Sequence, residues 1–172
     1  MPQRRATTRR EPARRSRAPA RERRLAPADV VRIALTRATA GAPKRFGPYR
    51  TLRRSWIGKA WTGNDELHYE IWPRPRARLL EVGLHFESDA LTNARLLAAF
   101  RAREAEVRAA LGAAPLIETW DKGWARVYET QPLELTREAA ERYGARLAAY
   151  ITALEPILCD ELPADVRWTA RS

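Results

Sequence analysis

Between residues 67 and 89 the chain alternates apolar and polar positions. In LHYEIW, 67–72, Leu67, Tyr69 and Ile71 alternate with His68, Glu70 and Trp72. In EVGLHFESD, 81–89, Val82, Leu84 and Phe86 alternate with Glu81, His85 and Glu87. Successive side chains of a strand point to opposite faces, so a period of two predicts two strands with one apolar side each. The intervening PRPRA, 73–77, reads as a break, making the pair a hairpin with a longer loop. PLIETW and WARVYET form a second pair around Asp121-Lys122-Gly123, a turn sequence that suits a hairpin with glycine at positive φ. One further strand is expected over roughly 50–61, after a turn at Gly47 and Pro48.

Elsewhere the period lengthens to that of a helix. Val30, Val31, Ala34 and Leu35 share a stripe in 28–38, and Gly41 and Pro43 end that segment. Leu96, Leu97, Phe100, Val107 and Leu111 make one stripe over 90–111, with Asp89 as N-cap and Gly112 as the stop. Ala140, Tyr143, Leu147, Tyr150, Ile151 and Leu154 make another over 135–158. Thr136 caps that helix, and Pro156 is expected to bend or end it. The order predicts an α+β fold: a two-layer sandwich whose antiparallel sheet, two hairpins plus one extra strand, is packed by two long helices.

Charge divides the chain. Of a formal net charge of +11, residues 1–25 carry +8, with almost no large apolar residue and with Pro2, Pro12 and Pro19 spaced through them. Such a segment buries too little to offset ordering entropy, so 1–25 is expected to be a disordered arginine-rich tail and 26–172 a single domain in which Trp168 packs. Residues 44–59, KRFGPYRTLRRSWIGK, add six basic residues and no acid, interleaved with Phe46, Tyr49 and Trp56. Cationic side chains meet phosphates and aromatic rings stack on bases. Candidate nucleic-acid contacts are therefore Arg4, Arg5, Arg9, Arg10, Arg14 and Arg15 in the tail, with Lys44, Arg45, Arg50, Arg53 and Arg54 in the domain. Cys159 is the single cysteine, which excludes an intramolecular disulfide and a cysteine-based zinc cluster. No apolar run is long enough for a bilayer, so a cytoplasmic protein without a membrane partner is expected.

If the apolar sides of the strands meet the helices, both histidines fall on the opposite side of one hairpin. His68, Glu70, His85 and Glu87 are candidate ligands for a divalent metal, because imidazole and carboxylate suit zinc or manganese. The competing reading is a solvated face held by cross-strand His–Glu contacts. In one assignment Ile117, Ala125 and Val127 of the second hairpin face inward; the opposite assignment, with the tryptophans as core, is the alternative. In the first, Trp120, Trp124, Arg126 and Tyr128 join Trp72 as a candidate ligand-binding surface. The acid and lysine cluster ETWDK, with Glu118, Asp121 and Lys122, lacks the usual nuclease spacing and reads as a turn. No nucleotide fingerprint, phosphate loop or nucleophile motif occurs, so no cofactor and no catalytic residue is assigned.

The text LEVGLHFES, with Asn93, Leu97 and Phe100, then Glu106, Leu111 and Gly112, then LIETW and WARVYE, resembles a small uncharacterised bacterial α+β domain family. That family is found alone or appended to restriction-type nuclease domains. The resemblance implies an α+β fold and contact with DNA-acting systems, and it transfers no catalytic residue. Together these features favour a non-enzymatic binding module that engages DNA, RNA or another polyanion through its basic arm. Two alternatives are an adaptor or chaperone-like domain with a protein partner, and a metal-dependent nuclease or hydrolase using the His/Glu face.

Overall fold

A computed structural model of the chain describes residues 24–162. The tail arginines Arg4, Arg5, Arg9, Arg10, Arg14 and Arg15, the expected disorder up to residue 23, and Trp168 lie outside the described residues. The chain runs α1 (Pro27–Gly41), β1 (Arg50–Arg54), β2 (Ile57–Trp61), β3 (Leu67–Arg74), β4 (Leu79–Phe86), α2 (Ala90–Ala102), α3 (Glu104–Leu111), β5 (Leu116–Trp120), β6 (Trp124–Pro132) and α4 (Arg137–Glu161). The fold is α+β, with one six-stranded antiparallel sheet in the order β1-β2-β3-β4-β6-β5. The β3/β4 and β5/β6 hairpins join through β4 and β6, which pair along their length from Leu79↔Pro132 to Phe86↔Ala125.

Three elements differ from expectation. The single strand over 50–61 is a hairpin, closed by Ser55 and Trp56 between the paired Arg54 and Ile57. β1 is exposed along its whole length at the edge of the sheet, so no burial pattern announced it as separate from β2. Pro73 is not a break but lies inside β3, paired with Leu80. It falls beyond the Tyr69–Ile71 stretch that pairs with β2, where a strand tolerates a residue without an N–H. The helix over 90–111 is two helices that change direction at Arg103 (φ −102°, ψ 20°). This turn lets α2 pack on β5 and β6 while α3 packs on α4. Arg103 is held there by Glu106 at 2.8 Å and Asp160 of α4 at 3.2 Å.

The expected caps form. Asp89 accepts from Leu91 N–H at 2.9 Å and Thr92 N–H at 3.0 Å, and Thr136 Oγ1 accepts from Ala139 N–H at 3.1 Å. Helix α4 continues through Pro156 to Glu161 rather than ending there. α1 lies against α4 and on β2 and β3, while α4 also covers β3 and β4. The two helices approach closely at Gly144, where a Cβ would lie 2.5 Å from the Ala34 carbonyl oxygen. The core between helices and sheet takes Leu67, Tyr69, Ile71, Val82, Leu84, Phe86, Ala125 and Val127 from the strands, with the inward positions the alternation predicts.

The reverse side of the sheet is not a solvated face. His68 and His85 are 1% and 0% exposed, and Glu70, Glu81 and Arg126 are also buried. Period-two alternation separates two faces correctly, but it does not say that the polar one is wet.

A candidate metal centre beneath a tryptophan cleft

The β3/β4 register sets His68 directly opposite His85 and Glu70 opposite Gly83. Glu70 is in turn opposite Lys59 of β2. The two imidazoles stack, with ring centroids 5.8 Å apart and 18° between planes. Glu87, just past the end of β4, reaches back over them. Its Oε1 lies 3.8 Å from His68 Nε2 and 4.0 Å from His85 Nδ1. Glu70 Oε2 lies 3.4 Å from His68 Nε2. One donor atom from each of His68, Glu70, His85 and Glu87 lies within 4.8 Å of every other.

The protonation of this group is partly determined by geometry. His68 Nδ1 is 2.7 Å from the Asp65 carbonyl oxygen, which can only accept, so Nδ1 carries the proton. In the neutral ring Nε2 then holds a lone pair, and it faces two carboxylates. Nε2 of His68 and both ring nitrogens of His85 are buried without a hydrogen-bond partner among the described residues. A lone pair facing anions in a buried site is unfavourable, and a cation between them would relieve it. A carbonyl that holds one ring nitrogen, fixing the tautomer and orienting the ring, is also the usual support of a metal-bound histidine. Burial pushes the Glu70 carboxyl up, but His68, His85 and Lys59 beside it outweigh that and hold its pKa below the ordinary value. The Lys59 ammonium lies 3.0 Å from Glu87 Oε2 and 3.6 Å from Glu70 Oε2, supplying one positive charge to the two acids.

A second charged group adjoins the first through His85. Its Nε2 is 3.4 Å from Glu81 Oε1, which accepts from Arg126 at 2.8 Å, while Arg126 also donates to Glu118 at 2.9 Å. The Arg126 guanidinium lies over the Tyr128 ring, 3.6 Å from its centroid. Arg126 and Tyr128, candidates for a ligand surface, are thus consumed in packing and buried at 9% exposure each.

Trp72, Trp120 and Trp124 are placed differently. With Leu52, Arg54, Trp56, Ile57, Lys59, Glu70 and Glu87 they line a cleft of about 390 Å³. Trp120 stands edge-on to His85 at 5.7 Å and packs on Trp124 at 5.7 Å and Trp72 at 6.5 Å. The cleft therefore has four indole walls and two of the four candidate metal ligands among its lining. Asp121 and Lys122 of ETWDK sit in the turn between β5 and β6, with Lys122 at φ 58° and Gly123 at φ 79°.

Arg50, Arg53 and Arg54 are on the exposed edge strand β1, and Lys44 and Arg45 on a single 3-10 turn ahead of it. None of the five forms an ion pair with another described residue. Sequence reasoning counted Lys59 only as one more basic residue and did not place Trp56 in the cleft. Both assignments depend on β2 pairing with β3, which the local text does not encode. Among the described residues no helix is long and apolar enough to cross a membrane. Compared with known proteins, the chain matches no family model, no curated protein and no solved structure.

Proposed function

We propose that this protein binds one divalent transition-metal ion through His68, Glu70, His85 and Glu87 and handles a ligand in the tryptophan cleft beside it. The observation that carries this reading is the set of buried, unpartnered imidazole nitrogens converging with two carboxylates. Two imidazoles and two carboxylates fit zinc or manganese in ligand type and number. A metal held there would supply Lewis acidity at the cleft. The chain's own contributions are indole walls for an aromatic or apolar ligand, and Lys59 and Arg54 for an anionic one. We read the architecture as a two-layer sandwich with the helices on one side. In support, Glu129 of β6 meets α4 whereas its neighbours Arg126 and Tyr128 turn to the opposite side.

Untagged full-length protein, stripped with chelator and titrated calorimetrically with Zn²⁺ or Mn²⁺, should take up one equivalent. The His68→Ala/His85→Ala double variant should bind more than about 100-fold more weakly, since loss of outer partners alone costs about 10–100-fold. Lys59→Ala removes the resident cation and should tighten binding. Absence of binding to the wild type, or binding indifferent to the double variant, would overturn the reading.

A second reading has its own observation. Five cationic side chains that form no ion pair with a described residue, Lys44, Arg45, Arg50, Arg53 and Arg54, cluster on and before the exposed β1 edge, and they continue the charge of the tail. They support an arm that engages nucleic acid or another polyanion, in keeping with the resemblance to domains appended to nucleases. Affinity for DNA or RNA should fall steeply with salt through counterion release. Deleting residues 1–25 should remove most of it, and no binding at low salt would sink this reading.

A further inference from the structure

A second cavity, of about 330 Å³, lies at the opposite end of the basic segment. Arg45, Phe46, Gly47, Pro48 and Arg50 line one side, Thr62 and Gly63 another, and Glu155 and Cys159 of α4 the rest. Glu155 is the unusual member. It is 1% exposed, on a helix otherwise turned to the core by apolar residues, and no cation pairs with it among the described residues. Thr62 Oγ1 donates to its Oε1 at 3.3 Å, while its Oε2 has no hydrogen-bond partner among the described residues. The fully buried Tyr69 hydroxyl lies close enough to Glu155 to interact with its carboxylate, and the buried Tyr49 phenol oxygen has no hydrogen-bond partner among the described residues. Burial lifts the pKa of Glu155 above the ordinary carboxylate value, the Tyr69 and Thr62 hydroxyls opposing this only in part. An acid kept in such a place costs the fold stability.

The cavity's mouth has the opposite character. Arg45 and Arg50 are exposed and form no ion pair with a described residue, and the Arg45 guanidinium lies 4.7 Å from the centroid of the Phe46 ring. The pocket thus offers a buried acceptor at its floor, an aromatic wall, and at its rim two guanidinium groups that form no ion pair with a described residue. A ligand matching all of these has N–H donors at one end, a flat ring, and an anionic group at the other.

We propose that this cavity binds a nucleotide. The N–H groups on the base edge donate to Glu155, and the phosphate meets Arg45 and Arg50. Every nucleobase presents at least one N–H on its Watson–Crick edge, and arginine is suited to phosphate through its planar fork of donors. The site is independent of the metal centre, and a nucleoside, which carries no phosphate, separates it from general attraction to the basic arm. The same chemistry is offered by a free mononucleotide or by one nucleotide of a strand.

The test is calorimetric titration of the full chain, in salt high enough to screen the arm, with four probes: each ribonucleoside, its 5′-monophosphate, inorganic phosphate, and a short single-stranded oligonucleotide. At least one monophosphate should bind more tightly than its nucleoside, and the nucleoside should bind more tightly than phosphate. Glu155→Gln, which keeps the shape of the side chain, should weaken nucleoside and nucleotide alike by about tenfold, the size of one hydrogen bond to a charged group. Arg45→Ala/Arg50→Ala, confined to exposed positions, should weaken the nucleotide and leave the nucleoside unchanged. An oligonucleotide that binds more tightly than every monophosphate, with the same dependence on Glu155, assigns the site to a strand. Binding of phosphate as strong as that of any nucleotide, or nucleotide binding indifferent to Glu155→Gln, would overturn the proposal.

Discussion

Replacing Arg146 with alanine should lower the free energy of unfolding by about 3–5 kcal/mol, the cost of stranding a buried charge. Glu129 of β6 is 5% exposed and faces α4. Arg146 Nε donates to its Oε1 at 2.9 Å, a second guanidinium nitrogen donates to Oε2, and the Tyr150 hydroxyl donates to Oε2 at 3.1 Å. Gln131 donates to Oε1 at 2.7 Å, and Arg146 also reaches the Leu111 carbonyl at the end of α3 at 2.7 Å. One guanidinium therefore ties sheet, α3 and α4 together. Without it the carboxylate keeps only neutral donors inside the protein. The double variant Glu129→Gln/Arg146→Ala should recover part of the loss, because it removes the stranded charge as well as its partner. Urea unfolding of the set measures this. A cost below about 1 kcal/mol for Arg146→Ala would show that water already screens the pair as it does at a surface.

The same pair sets a pH dependence. Burial pushes the Glu129 carboxyl up, but Arg146, Gln131 and Tyr150 outweigh it and hold the pKa below the ordinary value. A group whose folded pKa is lowered contributes stability above its unfolded pKa, about 4.3 for glutamate, and loses it as pH falls through the folded value. Wild-type stability should therefore include an acid-side decline below about pH 4 that the double variant lacks.

Gly83→Ala should cost about 2–3 kcal/mol, at the upper end of what overpacking does. Gly83 sits in the middle of β4 on the polar side. A Cβ there would meet Tyr128 Cβ and the Val127 carbonyl oxygen at 2.6 Å each, and Tyr128 Cα at 2.9 Å. Two of these three atoms are backbone of β6, so relief requires β4 and β6 to separate, and that seam joins the two hairpins. Gly83 lies between Glu81 and His85. By displacing His85 the substitution should also weaken metal affinity. Thermal unfolding and metal titration of this one variant report the two effects separately. Wild-type stability in Gly83→Ala would mean that the β6 backbone yields at no cost.

Much of this architecture is legible locally. Strands β3, β4, β5 and β6 follow from period-two text, and the helices from apolar stripes bounded by Asp89, Gly112 and Thr136, because side-chain direction is a property of the chain's own periodicity. The assignment of both histidines to one face follows from the same rule. Other features were not legible. β1 and β2 share a basic text whose burial is set by where the strand lies in the sheet, and Pro73 is tolerated only because β2 stops short of it. The direction change at Arg103 depends on α4, far along the chain.

The amino-acid sequence by itself determined the α+β class, the paired hairpins, the histidine face and the asymmetric charge. Only the tertiary structure decided that this face is buried and that Glu87 folds back over two stacked imidazoles. It also decided that Lys59 supplies the counter-charge of Glu70 and Glu87 and that Glu155 lines a cavity without a cationic partner among the described residues. The physical reason is that periodicity specifies which way a side chain points, whereas burial and charge pairing depend on what other segments bring to the same place.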